Sequence, residues 1–187
     1  MRTILLTIIL FLSSHTPALS DVTFEGANNE IVMFTGYIKA DEMDEILEEI
    51  KAKKPKQMIL NSYGGDLPSA GRLARYIHEN NISTYVSEIS VCKSACVILF
   101  LAGKERLCEG KLSVHQIRPT KEMEYDITIS KVAYKYLQRE MGNLITLLNR
   151  FNTPPFVYEQ MFKSYDMYDF SKAEIAQINT VKSLDEM

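Results

Sequence analysis

The sequence predicts an α/β fold, and three observations predict it. Runs rich in β-branched and aromatic residues alternate with amphipathic helical stretches over residues 30–86, a pattern that argues for parallel strands joined by right-handed crossovers. Hydrophobic residues make up 46% of the 187 residues and charged residues 24%, the balance of a globular chain rather than a disordered one. The length supports one domain with a sizeable core and leaves two full domains cramped.

The elements follow in order. Residues 30–38 read as a strand, being rich in β-branched and aromatic side chains. Residues 41–53 carry Met43, Ile46, Leu47 and Ile50 at helical spacing, with Asp41 or Ala40 marking the start, lysines at the C-terminal end and Pro55 closing it. Residues 57–61 form a short apolar strand, and 62–66 (Ser-Tyr-Gly-Gly-Asp) a turn. Leu67, Ala70, Leu73, Ala74 and Ile77 then lie on one face of a second helix that stops at Asn80-Asn81. Residues 82–86 are the next strand. Residues 94–102 are apolar on nearly every side and should be a buried helix with Gly103 as its C-cap. Residues 105–108 and 111–116 look like short strands joined by Glu109-Gly110. Residues 118–125 are polar and expected to form a mobile loop. Residues 126–151 read as one long helix, whose stripe Leu137, Met141, Leu144, Leu148 and Phe151 must pack against something. Pro154-Pro155 opens another helix, and Ser171 with Glu174 makes a capping box for a last short one.

The first twenty residues are expected to lie outside the fold. Arg2 precedes the nine-residue apolar run Ile4–Leu12, and Ala18-Leu19-Ser20 places small residues at −3 and −1 of a cleavage site. That is the layout of a secretory signal peptide, with an apolar core too short to span a bilayer as a stable helix. An uncleaved anchor is the other reading. No later stretch is apolar enough to cross a membrane, so residues 21–187 are expected as one exported domain, periplasmic or secreted. Removing residues 1–20 takes away one base and no acid, so the formal charge moves from −3 to −4. A pI near 5.7 argues against gripping nucleic acid through bulk positive charge. The subtraction leaves two histidines, His78 and His115, which excludes a three-histidine zinc site. No metal and no cofactor is expected.

Ser94 opens the apolar helix within Cys92-Lys93-Ser94-Ala95-Cys96. A serine there is ordinarily a cap, yet the same free amides and helix dipole would stabilise negative charge beside its hydroxyl. Gly64-Gly65 allows the turn its positive φ, and also lets bare backbone approach a substrate. His115 ends a short strand. His78 lies near a helix C-terminus, where partial positive charge is favourable for structural reasons alone. Lys93, next to Ser94, suggests a Ser-Lys pair, but sequence neighbours at a helix start point apart.

Taken together, Asn61-Ser62-Tyr63-Gly64-Gly65, Ser94-Ala95, Gly103 and Val114-His115-Gln116 form an ordered set. This layout resembles the peptidase subunit of the Clp proteases, in the crotonase-like superfamily. The Cys-x-Ser-Ala-Cys segment combined with an N-terminal signal is most similar to the signal-bearing cell-envelope members. The resemblance covers roughly residues 30–180. It implies repeated strand-strand-helix units with a C-terminal helical part. It also implies a Ser94 nucleophile, a His115 base, an oxyanion hole from the N–H groups of Gly65 and Ala95, and a downstream acid. Asp166 matches that acid best, with Asp169 as second choice. The implied activity is that of a serine peptidase working without ATP on a peptide or protein. A non-catalytic binding or assembly module of the envelope is the alternative. No ATPase partner is expected outside the cytoplasm, and the long helix matches the region through which the ring-forming peptidases assemble, so a homo-oligomer is an expectation. Three departures stand out: Tyr63 replaces the family's Pro, Lys93 and Cys96 replace the small nucleophile flank, and Asn179, which tolerates left-handed geometry, replaces a Gly that closes the last helix.

All three cysteines, Cys92, Cys96 and Cys108, fall within seventeen residues around Ser94. In an oxidising compartment a disulfide among them would brace the nucleophile turn, and spacing leaves all three pairings open. The other reading makes Cys96 and Cys108 small buried hydrophobes.

Overall fold

The computed structural model describes residues 20–118 and 127–187. The signal-like segment and most of the polar 118–125 stretch lie outside those residues. In chain order the elements are β1 (Asp21–Glu25), β2 (Ile31–Ile38), α1 (Met43–Lys53), β3 (Gln57–Gly65), α2 (Leu67–Glu79), β4 (Ser83–Val86), β5 (Val91–Lys93), α3 (Cys96–Leu101), β6 (Arg106–Cys108), β7 (Lys111–Val114), α4 (Ile127–Arg150), α5 (Pro155–Lys163), β8 (Tyr168–Asp169) and α6 (Lys172–Ile178).

The predicted parallel pairing is present. β2 runs parallel to β3, and β3 then forks: its first half pairs with β4 (Gln57 opposite Ser83), its far end with β5 (Ser62 opposite Cys92). β4 continues to β6 and β5 to β7, all parallel, while β1 and β8 add antiparallel edges. The fork has a local cause. Asn61 Oδ1 accepts the Val91 N–H at 3.1 Å, so a side chain of β3 seats the first residue of β5.

α1 and α2 bury the apolar faces read from the sequence, and every residue of α3 is buried. Arg106 ties α3 to α4. It is 6% exposed, and its Nη1 donates to Leu101 O at 2.8 Å and Phe151 O at 3.0 Å, the orphan carbonyls at two helix ends. The partial negative charge there offsets the buried cation, whose pKa burial pulls down.

Several local expectations are corrected. Residues 62–65 are not a turn but the end of β3, and the helix begins after Asp66, whose carboxylate accepts the Ser69 N–H. The strands expected over residues 105–108 and 111–116 are present on either side of Glu109-Gly110 but shorter, as β6 and β7, and each joins a different branch of the fork. α1 starts after Glu42 rather than at Asp41 or Ala40. Ala102, not Gly103, caps α3, and Gly103 is there because a Cβ would collide with Thr84 Oγ1. Asn179 is extended (φ −60°), not left-handed. Its amide brackets the Cys108 backbone instead, accepting from N and donating to O. The α4 stripe divides: Leu144, Leu148 and Phe151 are buried, while Leu137 and Met141 are half-buried and Val132 and Tyr134 on the same helix are exposed.

Candidate active site

The site is built where β3 ends and β5 turns into α3. The Ser94 N–H completes the β5–β7 ladder by donating to Ser113 O at 2.8 Å. The chain then reverses at Ser94, which has φ +53°, and enters α3 through Ala95. A left-handed serine between a strand and a helix is a strained position. Ser94 therefore does not cap the helix; no side chain does. Its carbonyl accepts the Val97 N–H at 3.0 Å, and the Ala95 N–H has no partner among the described residues.

Gly64 makes room for that turn. A Cβ on it would sit 2.6 Å from Lys93 O, 2.8 Å from Ser94 Cβ and 2.9 Å from Ala95 N, and its φ is +87°. Gly64 N also donates to the fully buried Ser62 Oγ at 3.1 Å. Gly65, at φ +145°, presses against the Ile38 backbone. The Gly-Gly pair thus serves packing of two backbones as much as turning.

The cysteines answer the pairing question. Cys92 on β5 is bonded to Cys96, the first residue of α3, so the disulfide brackets Ser94. Cys108 is a free thiol, and burial pushes its pKa up to about 12. Lys93 places its ammonium 5.7 Å from the Tyr63 ring centre, and Tyr63 stacks on Tyr37. That contact turns Lys93 toward its aromatic neighbour rather than into a pair with Ser94. His78 packs on Phe151, with ring centres 5.0 Å apart, as a structural residue.

Ser94, Ala95, Gly65 and His115 all line one cavity of about 530 Å³. Its walls are mainly aliphatic, from Leu67, Ile98, Val114, Ile117, Leu144 and Met161, with Asp66, Arg118 and Tyr136 as polar members. Burial, with Glu140 and Asp66 nearby, raises the Tyr136 pKa.

No protein-family model matches the chain, and no curated protein matches it. A solved structure does: a single-substitution mutant of ClpP1 from Listeria monocytogenes, with TM-score 0.61 at 16% identity, covering 83% of this chain and 93% of that one. The fold is Clp-protease-like.

On this Clp-like frame the sequence-derived residues do not all meet. Gly65, Ser94, Ala95 and His115 share the cavity, while Asp166 and Asp169 are not among its lining residues. Asp166 is exposed. Asp169 uses both carboxylate oxygens elsewhere, accepting from Ser113 Oγ at 2.6 Å and pairing with Lys111 Nζ at 2.6 Å. The Lys111 and Ser113 hydrogen bonds hold its pKa below the usual carboxylate value. His115 Nδ1 lies 2.7 Å from the backbone oxygen of Gln116. No hydrogen bond joins Ser94 to His115 among the described residues. Sequence reasoning missed Asp66, Tyr136 and the Gln116 carbonyl. The Asp66–Ser69 cap was legible in principle; a main-chain oxygen leaves no trace in residue identity.

Proposed function

We propose that the protein is an exported serine hydrolase acting on peptide bonds without ATP, with Ser94 as nucleophile and His115 as general base. One observation carries the reading. The serine at the strained strand-to-helix turn and His115, brought in from the end of β7, line the same apolar-walled cavity, with Gly65 and Ala95 beside them. His115 would take the Ser94 proton as Oγ attacks a carbonyl, then return it to the leaving amine. The amides of Gly65 and Ala95 would hold the oxyanion, and the Ala95 N–H has no acceptor among the described residues. No metal or cofactor takes part in this scheme.

Export is supported by the signal-like N-terminus and by a disulfide, which suits an oxidising compartment. Among the described residues no helix is long and apolar enough to cross a membrane. Self-association is supported by Val132 and Tyr134 on α4, 60% and 64% exposed, and sedimentation of the mature chain tests it. The decisive experiment for the activity is labelling by a fluorophosphonate probe, which reacts with activated serines. Wild type should label, and Ser94→Ala and His115→Ala should not. Equal labelling of all three removes Ser94 as nucleophile and leaves the fold as a binding or assembly module.

A further inference from the structure

We propose that the Gln116 backbone carbonyl, rather than a carboxylate, orients His115, so that the base works as the serine's partner in a dyad; this rests on the hydrolase reading of Ser94. A carbonyl oxygen has no proton to give. At 2.7 Å the contact therefore requires His115 Nδ1 to carry the hydrogen and donate it. That fixes the tautomer in which Nε2 is free to accept a proton, the service an acid performs in a three-residue site.

The residue that carries the carbonyl is anchored through its own N–H. Gln116 N donates to Ser164 O at 2.9 Å, anchoring the segment after β7 to the end of α5. The peptide between His115 and Gln116 is thus tied between β7 and α5, one unit ahead of the peptide whose oxygen accepts from the ring.

Among the described residues, the candidate carboxylates make other contacts or lie outside the cavity lining. Both oxygens of Asp169 serve Ser113 and Lys111 on β7. Asp166 is exposed and lines no part of the cavity. Asp66 lines it, but its Oδ2 caps α2 through the Ser69 N–H at 2.9 Å. The chemistry differs from that of a triad in one respect. A carbonyl dipole orients the ring but supplies no full negative charge to the imidazolium that forms when Ser94 gives up its proton.

The test uses the mature, disulfide-bonded protein. Fluorophosphonate labelling rates are compared for wild type, Asp166→Asn, Asp169→Asn and a combined amide variant of Glu122, Glu124 and Asp126, with Ser94→Ala as the blank. Where a carboxylate orients the base, replacing it by an amide costs about 10⁴ in rate. Every variant here is expected to stay within about tenfold of wild type, with a superimposable pH profile. A larger loss, or a displaced profile, in any variant with unchanged Tm overturns the proposal. An independent measurement needs no variant: nitrogen NMR of the ¹⁵N-histidine-labelled protein should show His115 with Nδ1 protonated and Nε2 bare at neutral pH. The opposite tautomer overturns the proposal. If wild type labels no faster than Ser94→Ala, the hydrolase reading fails by itself, and the NMR result still decides the carbonyl contact.

Discussion

Reducing the Cys92–Cys96 bond should weaken both the fold and the Ser94 turn. The bond joins residues four apart, and both are fully buried. For a loop of this size the chain-entropy account gives about 2 kcal/mol of stabilisation, acting mainly through the unfolded state. With a urea dependence of about 2 kcal/mol per molar, complete reduction should lower the midpoint by about 1 M. The bond also holds β5 to the first residue of α3 across a residue at φ +53°. A local opening that drew on the whole 2 kcal/mol would cut Ser94 labelling about thirtyfold. The assay is urea unfolding by circular dichroism with and without a dithiol reductant, with alkylation and mass spectrometry counting thiols after denaturation. Oxidised protein should show one thiol, Cys108, and reduced protein three. A fully reduced chain with a midpoint within about 0.2 M of the oxidised one would refute the stability argument. A shifted midpoint with an unchanged labelling rate would refute the claim that the bond holds the nucleophile turn.

Gly64→Ala adds a Cβ within 3 Å of Lys93 O, Ser94 Cβ and Ala95 N at a positive φ; the left-handed cost and the overpacking together should exceed about 3 kcal/mol, and thermal unfolding with probe labelling checks both losses. Arg106→Met leaves Leu101 O and Phe151 O without their donor and should cost about 2–3 kcal/mol in urea unfolding, whereas no change would mean that the two helix ends find other partners. The Asp169 pKa is held below its unfolded value, so its contribution is present above about pH 4 and is lost as pH falls through the lower, folded value. Asp169→Asn should flatten that acid limb of the stability–pH curve, and an unchanged limb would show that the contacts to Lys111 and Ser113 carry no net stabilisation. Burial holds the Cys108 thiol protonated to about pH 12, so iodoacetamide at pH 8 should leave it intact in the native protein and modify it in urea.

Local periodicity was enough to place α1, α2 and α4, because each buries one face and the burial writes itself into spacing, while Pro154-Pro155 marked the start of α5. The capping box at Ser171 and Glu174 was legible for the same reason, since both partners lie within one turn. β5 and β8 were not, being three and two residues long and defined by what they pair with. Ser94 was legible as a candidate, but its left-handed backbone was not, because that geometry comes from Gly64 and the disulfide, thirty residues and two residues away.

By itself, then, the sequence determined the α/β class, the parallel crossovers, the Gly64-Gly65 and Ser94-Ala95 motifs, and His115 as the better of two histidines. Tertiary structure alone decided which cysteines bond, that Gly65, Ser94, Ala95 and His115 share one cavity, and that Asp169 is committed to β7 while Asp166 faces solvent. The division has one physical cause. Helical faces and caps are set by neighbours three or four residues apart, whereas the partner of a carboxylate, a thiol or an imidazole is set by whichever atoms the completed sheet brings within 3 Å of it.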